Sequence, residues 1–220
     1  MDRLAVVDLL VATGGRFLSG NKQSYFTGVS TDTRSLEHGE MFFALSGENY
    51  DGHVFVKQAV DRGAVAVVIS QTNGIQDSFR GNGECAFIEV SDTRRALGDL
   101  ARYYRKKLST KFIAVTGSNG KTTTKDMVYH VLRNFKNVVK SKESFNNDVG
   151  VPLTIFETNK AHDFGVIEMG TNAPGEIRRL SEIISPNYTI LTNISHTHLE
   201  GLGDIKGVAD AKAEFIENMD

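Results

Sequence analysis

The sequence predicts an α/β protein in which mostly parallel sheets are covered by helices. Two apolar runs without alternation, at residues 64–69 and 112–115, are typical of strands buried on both faces. Segments with strand character alternate with segments of helical periodicity, which favours parallel sheets. A glycine-rich loop at residues 117–120 follows one of these strands and precedes a helix, which is the order found in phosphate-binding loops.

The N-terminal part is predicted to be a small α/β domain of residues 1–83. Its predicted helices are 4–12 and 53–62, and its predicted strands are 26–31, 40–45 and 64–69. Residues 71–84 are polar and rich in glycine, so we interpret them as the linker that ends this domain.

The second predicted domain comprises residues 84–220 and contains the glycine-rich loop. Its predicted strands are 86–90, 112–115, 137–140, 164–168 and 188–192, and its predicted helices are 93–107, 123–134, 146–156, 174–184 and 206–218. The sequence stops inside the last helical pattern without a closing strand. We therefore expect an incomplete, truncated sheet and a fragment of a longer protein.

Composition narrows the class of protein. The net charge is −2, and no basic block is interleaved with aromatic residues, so nucleic acid is not an expected partner. The single cysteine, Cys85, excludes an internal disulfide framework and is interpreted as a buried thiol. No apolar stretch reaches membrane-spanning length and no signal peptide is recognisable, so a cytoplasmic location is expected. The basic run at residues 102–107 is interpreted as the solvated end of a helix.

The glycine-rich loop carries the clearest chemistry. Lys121 can reach the β- and γ-phosphates of a nucleotide, and the Thr122 hydroxyl can ligate Mg²⁺. The match is to the short pattern GxxGKT, because Val115 stands where the longer pattern has its first glycine. The alternative is a solvated turn of glycine and serine.

Three side chains are expected at the same sheet edge. Glu168 ends an apolar run and would lie beside the phosphate loop, where a carboxylate can hold Mg²⁺ directly or through water. His196 and His198 follow the apolar run 188–194, and the sequence does not choose between them. Because Mg²⁺ prefers oxygen, a histidine ligand would be unusual.

Two asparagines open the predicted helix 146–156. Asn146 and Asn147 could cap this helix with their side-chain oxygens, or their amides could face a phosphate or a substrate. Both interpretations stay open, with capping preferred.

The loop at residues 116–124 resembles that of the ATP-dependent Mur ligases of peptidoglycan synthesis and their folylpolyglutamate synthetase relatives. Further segments that resemble Mur ligases are Ser30-Thr-Asp-Thr-Arg34, Gly47-Glu-Asn-Tyr-Asp-Gly-His53, Asn146-Asn-Asp-Val-Gly-Val-Pro152, Glu168-Met-Gly-Thr-Asn-Ala-Pro-Gly-Glu-Ile177 and His198-Leu-Glu-Gly-Leu-Gly203. The segments that begin at Asn146 and Glu168 favour the member that adds D-Ala-D-Ala over the member that adds the third residue.

The resemblance implies three domains. This chain would hold the N-terminal UDP-binding domain and part of the central ATP-binding domain, without the C-terminal Rossmann-like domain. The implied cofactors are ATP and Mg²⁺, and the implied substrates are UDP-N-acetylmuramoyl-tripeptide and D-Ala-D-Ala, joined through an acyl phosphate. A full-length enzyme of this kind is expected to be a monomer without membrane insertion, and the 220-residue chain alone is expected to be inactive.

The resemblance also assigns roles to individual residues. The residues implied to bind ATP are Thr116, Gly117, Ser118, Asn119, Gly120, Lys121, Thr122 and Thr123. The implied metal ligands are Thr122, Glu168 and His198, which selects His198 over His196. The implied catalytic residues are Lys121, Glu168, His198 and Lys212, the last at the position of the family's carbamylated lysine. The residues implied to contact the substrate are Ser30, Thr31, Asp32, Arg34, Gly47, Asn49, Asp51, His53, Asn146 and Asn147.

Alternatives remain for several of these assignments. Without the resemblance, Lys212 would be interpreted as a solvated helix lysine, and each residue of the first domain as part of a plain turn or cap. At the level of function, the alternatives are another Mur or folylpolyglutamate-type ligase and a nucleotide-binding module without catalysis. An unrelated phosphate-loop kinase is disfavoured by the separate N-terminal unit.

Overall fold

The computed structural model describes residues 1–47, 50–72, 83–142 and 144–218. The chain divides into two compact units, Met1–Leu100 and Ala101–Asp220. Asn49 and residues 73–82 of the interpreted linker lie outside the described residues. None of the described helices is long and apolar enough to cross a membrane.

The first unit is built on a mixed sheet. The strands of this unit are β1 (Leu4–Ala5), β2 (Arg16–Ser19), β3 (Tyr25–Phe26), β4 (Val29–Ser30), β5 (Met41–Phe43), β6 (Ser46–Gly47), β7 (Tyr50–Asp51), β8 (Ala66–Ile69) and β9 (Ala86–Glu89). Strands β1 and β3 form a separate two-stranded sheet, as do β6 and β7. Its helices are α1 (Val6–Thr13), a 3₁₀ helix (Gly52–Phe55), α2 (Val56–Asp61) and the start of α3 (Thr93–Arg105). The strand order is β2-β9-β8-β5-β4, in which only the pairing of β2 with β9 is antiparallel.

The position of β9 corrects the predicted domain boundary. We predicted that the second domain begins at residue 84, but β9 pairs in parallel with β8 in the sheet of the first unit. Side chains from both strands, Val67, Ile69 and Phe87, belong to the same buried cluster. The units therefore divide after Leu100, within α3, because burial of β9 against β8 outweighs the change in composition before it.

The second unit has a parallel sheet with the order β11-β12-β10-β13. Its strands are β10 (Lys111–Thr116), β11 (Val138–Lys140), β12 (Phe164–Glu168) and β13 (Tyr188–Leu191). Its helices are α4 (Lys121–Leu132), α5 (Gly150–Glu157), α6 (Glu176–Ile184), α7 (Leu199–Leu202), α8 (Ile205–Ala213) and a 3₁₀ helix (Glu214–Asn218). The α/β class and the parallel arrangement predicted from the sequence are confirmed.

The core of the second unit lies between β10, β12 and the helices that cover them. Phe112, Ala114, Val166 and Ile167 are fully buried on these strands, as their continuous apolar runs predicted. The basic run 102–107 differs from its prediction. Within it the Arg105 guanidinium is buried and donates to Ile184 O at 2.7 Å, so this arginine belongs to the interior.

Candidate phosphate-loop site

The backbone of the loop between β10 and α4 suits an anion. Gly117 and Gly120 have φ angles of 141° and 77°, in the region that side chains disfavour. A Cβ atom at Gly117 would overlap the Thr192 hydroxyl, so glycine is required there. Helix α4 begins after Gly120 without a side-chain cap, so its first amides point toward any ligand at its N-terminus.

The side chain of Lys121 lies within this loop. Its Nζ atom donates to Gly117 O at 2.9 Å and to Ser118 O at 3.3 Å, which places the positive charge where the glycines bend the backbone. The neighbouring Thr116 is turned the other way. Its side chain is fully buried and donates to Met169 O, so its hydroxyl faces the sheet.

The segment after β13 braces the phosphate loop. The Ser118 amide donates to Asn193 O at 2.9 Å, and Ser118 Oγ accepts the Ser195 amide at 2.9 Å. Thr192 Oγ1 donates to Asn119 O at 2.6 Å. These hydrogen bonds tie the loop to the strand end that leads to both candidate histidines.

Of the two histidines, His198 takes the constrained position. Its φ angle is 55°, in the left-handed region that non-glycine residues seldom adopt. Both histidines are exposed, but only His198 is among the residues that line the cavity beside Lys121. The structure thus distinguishes two residues that the sequence left equivalent.

Glu168 is held from three directions at the carboxyl end of β12. The Thr122 hydroxyl donates to Oε2 at 2.8 Å, and Asn146 Nδ2 donates to Oε1 at 3.0 Å. The Glu168 amide donates to Ser141 Oγ at 3.1 Å. Because β12 neighbours β10 in the sheet, the expected placement of this carboxylate beside the phosphate loop is confirmed.

The two asparagines divide the roles that the sequence left open. Asn147 Oδ1 accepts the amides of Val149 and Gly150, so this side chain caps the start of α5. Asn146 instead directs its amide at Glu168. Both residues line the adjacent cavity.

A cavity of about 550 Å³ adjoins Lys121 and His198. It is lined by Lys121, Asn146, Asn147, Asp148, Gly170, Thr171, Asn172, Pro174, Gly175, Glu176, Arg179, Leu180 and His198. Its wall offers amide, carboxylate and cationic groups, so it can take a polar, charged molecule next to the phosphate loop.

The loop after Glu168 forms one wall of this cavity, and it belongs to the segment 168–177 whose resemblance assigned no role to residues beyond Glu168. Glu176 accepts the Ala173 amide and the Thr171 hydroxyl, and Glu214 accepts the amides of Gly175 and Arg178 at the start of α6. These carboxylates fix the loop at the positive end of a helix. The signal available in the sequence was the group of glycine, polar and proline residues at 170–175, a composition typical of a loop.

Lys212 on α8 is buried, with 1% of its surface exposed, so the interpretation as a solvated helix lysine is wrong. Burial, together with the positive charge of Lys121, lowers the pKa of Lys212 to about 8. A lowered pKa increases the fraction of neutral amine, the form that reacts with electrophiles.

In the first unit, the segment 30–34 forms a turn closed by its own side chains. Ser30 Oγ donates to Asp32 O at 2.9 Å, and Arg34 Nη2 lies 2.6 Å from Asp32 Oδ2. The hydrogen bond from Arg34 lowers the pKa of Asp32. Thr31 is half-buried in this turn, and the Arg34 side chain is 88% exposed.

His53 is locked inside the first unit. Its Nδ1 lies 2.6 Å from Asp51 Oδ1, and its Nε2 accepts the Ser70 amide at 2.9 Å. Asp51 also accepts the hydroxyl of Ser46, next to Gly47 in the β6–β7 hairpin. Both ring nitrogens of His53 are therefore engaged within the first unit, Nδ1 by the hairpin and Nε2 by the residue that follows β8.

The second unit thus has the arrangement of a phosphate-loop nucleotide-binding protein: a strand, a glycine-rich loop, a helix and a carboxylate on the neighbouring strand. Family comparison is more specific. Sequence models described as the Mur ligase middle domain and the Mur ligase family catalytic domain match residues 115–220 and 25–105. The chain belongs to the Mur ligase family.

Two curated relatives illustrate the similarity. The UDP-N-acetylmuramoyl-tripeptide–D-alanyl-D-alanine ligase of Bacillus subtilis is 42% identical over 198 residues, 90% of this chain and 42% of the relative. The ligase of the same name from Haemophilus influenzae is 36% identical over 223 residues, 100% of this chain and 47% of the relative. The chain thus spans about half the length of the curated relatives it matches.

Solved structures agree with this result. MurF from Acinetobacter baumannii superposes with a TM-score of 0.89 at 34% identity, over 100% of this chain and 47% of that chain. MurF from Thermotoga maritima, solved in complex with ADP, superposes with a TM-score of 0.77 at 30% identity, over 87% of this chain and 43% of that chain.

Proposed function

We propose that this chain supplies the nucleotide-binding machinery of an ATP-dependent ligase that joins D-Ala-D-Ala to UDP-N-acetylmuramoyl-tripeptide. The observation that carries the proposal is the hydrogen bond between Thr122, at the start of α4, and Glu168, on the adjacent strand. It brings a phosphate loop and a carboxylate together beside a polar cavity. The named relatives at 36–42% identity support the choice of substrates.

The phosphate loop would bind ATP through its amides and Lys121. The amides at the start of α4 and the Lys121 ammonium can neutralise the β- and γ-phosphates. The hydrogen bonds of Ser118, which donates to Asn193 O and accepts from the Ser195 amide, hold the loop in place for this contact. The exposed side chains of Asn119 and Thr123 lie at the loop and at the start of α4, where they can reach phosphate oxygens.

The donor chemistry at this edge fits Mg²⁺. Thr122 and Glu168 offer a hydroxyl and a carboxylate, the oxygen ligands that Mg²⁺ prefers. In the part of the chain that the structure describes, no group of three or more His, Cys, Asp or Glu side chains could hold a metal by itself. The pair of Thr122 and Glu168 still suits Mg²⁺, because this ion is usually held by one or two carboxylates together with substrate phosphates. When bound, the ion would neutralise charge on the γ-phosphate, and His198 would help to hold a second ion.

The cavity beside Lys121 would hold the end of the muramoyl peptide. Its terminal carboxylate would attack the γ-phosphorus, so that an O–P bond forms and ADP leaves. The amine of D-Ala-D-Ala would then attack the carbonyl carbon, lose a proton and displace phosphate. Lys121 would offset the converging negative charges, and Asn146 would keep Glu168 in place.

Lys212 would act as a carbamate. Its lowered pKa supports this role, because carbon dioxide adds only to the neutral amine. The carbamate would exchange a repelling cation for anionic oxygens near the nucleotide phosphates and their metal ions.

The first unit would bind the UDP portion of the substrate. Arg34 is the exposed cation of the 30–34 turn and can approach a diphosphate. The hydrogen bonds of Asp51 and His53 shape the hairpin that carries Gly47. Since ATP is a cytoplasmic metabolite, the proposal places the reaction in the cytoplasm.

Calorimetric titration of the chain tests the binding part of this proposal. We expect separate binding of Mg·ADP and of UDP-N-acetylmuramoyl-tripeptide, and we expect Lys121→Ala to weaken the binding of the nucleotide without changing that of the UDP ligand. Lys136→Ala is the matched control, because Lys136 is exposed after α4. Binding of nucleotide without the UDP ligand would instead indicate another phosphate-loop function.

Ligation is tested in a chimaera in which this chain replaces the matching half of the Bacillus subtilis ligase. ADP release should require both UDP-N-acetylmuramoyl-tripeptide and D-Ala-D-Ala. Equal activity with a muramoyl-dipeptide acceptor and a single amino acid would favour the ligase that adds the third residue. ADP release without any UDP substrate would favour a folylpolyglutamate-type enzyme.

A further inference from the structure

Lys125 is a buried cation to which none of the steps above gives a role. It lies one turn after Lys121 on α4, and only 1% of its surface is exposed. Its Nζ atom donates to Ser141 O at 3.1 Å, and Asp126 Oδ1 lies 3.7 Å away. Burying an ammonium is costly, so the position of this side chain calls for an explanation beyond packing.

Ser141 connects this lysine to the end of β12. It is fully buried just after β11, and its amide donates to Val166 O at 3.0 Å. Its hydroxyl accepts the Glu168 amide at 3.1 Å. Ser141 thus accepts a hydrogen bond from the Lys125 ammonium with its carbonyl oxygen and a hydrogen bond from the Glu168 amide with its hydroxyl.

Two residues of helix α4 are therefore connected to Glu168 by hydrogen bonds, one directly and one through Ser141. Thr122 donates directly to the Glu168 carboxylate. Lys125, three residues further along the helix, donates to the carbonyl of Ser141, whose hydroxyl accepts the Glu168 amide. Both contacts start from the helix that begins at the phosphate loop. Because hydrogen bonds hold both the side chain and the main chain of Glu168, its carboxylate has little freedom to turn away from a ligand at the phosphate loop.

We propose that Lys125 is a positioning residue that, through Ser141, orients Glu168 for the Mg²⁺ that accompanies the nucleotide. This inference rests on the proposed function and deepens it, since it concerns the metal dependence of the same site. Residues that orient metal ligands typically contribute about 10–100-fold to metal affinity. Lys125 itself touches neither the nucleotide nor the metal in this arrangement.

The test uses the chain with the non-hydrolysable analogue adenylyl imidodiphosphate. Lys125→Met keeps an unbranched side chain that is one atom shorter and removes its charge, and Ser141→Ala removes only the hydroxyl that accepts the Glu168 amide. Lys140→Met is the matched control, because Lys140 directly precedes Ser141 but its ammonium donates to Asp126 Oδ1 and not to the Ser141 carbonyl.

Analogue affinity is measured without metal and over a series of Mg²⁺ concentrations. We expect Lys125→Met and Ser141→Ala to leave metal-free affinity unchanged and to raise the half-saturating Mg²⁺ concentration by about tenfold. The double variant should show no further loss, because both changes break one connection. Lys140→Met should behave as the wild type.

Two outcomes would overturn the inference. Lys125→Met could lower thermal stability while keeping the wild-type Mg²⁺ dependence, which would make Lys125 a residue of the core only. If that variant does not fold, Ser141→Ala decides, and an unchanged Mg²⁺ dependence in it has the same meaning. Failure of the wild-type chain to bind the analogue in a Mg²⁺-dependent way would instead contradict the proposed function.

Discussion

The Thr122 hydroxyl donates a hydrogen bond to Glu168 Oε2 at 2.8 Å, although 46 residues separate them in the sequence. The contact exists because β12 lies beside β10 in the sheet, with Val115 and Glu168 in register. Helix α4 starts just beyond the end of β10, so its first turn lies next to the carboxylate. The sheet order, which brings a distant strand beside the loop, thus builds the candidate metal site.

The Glu168 carboxylate should be required for metal-dependent binding. Glu168→Gln preserves the shape of the side chain but removes the negative charge that attracts Mg²⁺ and replaces one of the two accepting oxygens with a donating NH₂ group. We expect the half-saturating Mg²⁺ concentration for nucleotide binding to rise by more than about tenfold, the effect expected for the positioning variants. Glu157→Gln, on the exposed end of α5, is the control and should show no change. An unchanged value in Glu168→Gln would remove this residue from the metal site.

The Lys121 ammonium should bind phosphate without supporting the fold. Hydrogen bonds to charged groups contribute about 2 kcal/mol, so Lys121→Ala should weaken Mg·ADP binding roughly thirtyfold. Among the described residues, the Lys121 ammonium donates to the carbonyl groups of Gly117 and Ser118 in its own loop, so the thermal midpoint should change little. Calorimetry and thermal unfolding check both statements. Near-normal turnover of the chimaera that carries Lys121→Ala would rule out the assigned role.

Stability should rise with pH through the titration of Lys212. Its pKa is about 8 in the folded chain and near 10.5 when unfolded, so between these values the unfolded state binds more protons. Stability therefore increases across this window, by on the order of 3 kcal/mol at about 1.4 kcal/mol per pKa unit.

Urea unfolding in buffer freed of carbon dioxide measures this effect. Lys212→Met should lack the increase, whereas Lys206→Met, an exposed lysine on the same helix, should retain it. Since the charge of Lys121 contributes to the lowered pKa of Lys212, Lys121→Ala should raise the folded-state pKa and so narrow the window from its lower end. Identical pH profiles for the wild type and Lys212→Met would contradict the burial of a titrating lysine.

The neutral form of Lys212 should also react with carbon dioxide. In ¹³C-labelled bicarbonate near pH 8, we expect a carbamate signal in the ¹³C NMR spectrum of the chain. Lys212→Arg should abolish the signal, because a guanidinium does not form a carbamate, while Lys206→Arg should keep it. A signal that survives in Lys212→Arg would place the modification elsewhere.

Gly117 should tolerate no side chain. Gly117→Ala combines a positive φ angle with an overlap against Thr192, so we expect a loss of about 2–4 kcal/mol in the free energy of unfolding. Gly203→Ala is the control, because it shares a positive φ angle of 79° but meets no atom within 4 Å. Its expected cost is only about 1 kcal/mol. Equal losses in the two variants would show that the contact with Thr192 is unimportant.

Local patterns were sufficient to predict part of this structure. The continuous apolar runs identified the buried strands, and the turn from strand to helix identified the phosphate loop. Glu168 was found because a carboxylate at the end of a buried strand must lie at the ligand-binding edge of a parallel sheet. These inferences depend on residues close together in the chain.

Other features depend on long-range packing and could not be predicted from local patterns. The polar stretch before β9 suggested a domain boundary, but β9 pairs with β8 in the first sheet. Arg105, Lys125 and Lys212 are buried although lysine and arginine are usually exposed. Each of these side chains is buried because of packing or polar partners that are distant in the sequence, and local patterns do not show such contacts.

The strand order of the second unit also has a consequence for folding. Strand β10 pairs on both sides with strands that follow it by long stretches of chain. Closing such large loops is entropically costly, so parallel sheets of this kind form slowly. During synthesis the phosphate loop leaves the ribosome long before the segment that braces it through Asn193 and Ser195. A nascent chain should therefore capture nucleotide only after that segment has emerged, which would make nucleotide binding a late marker of its folding.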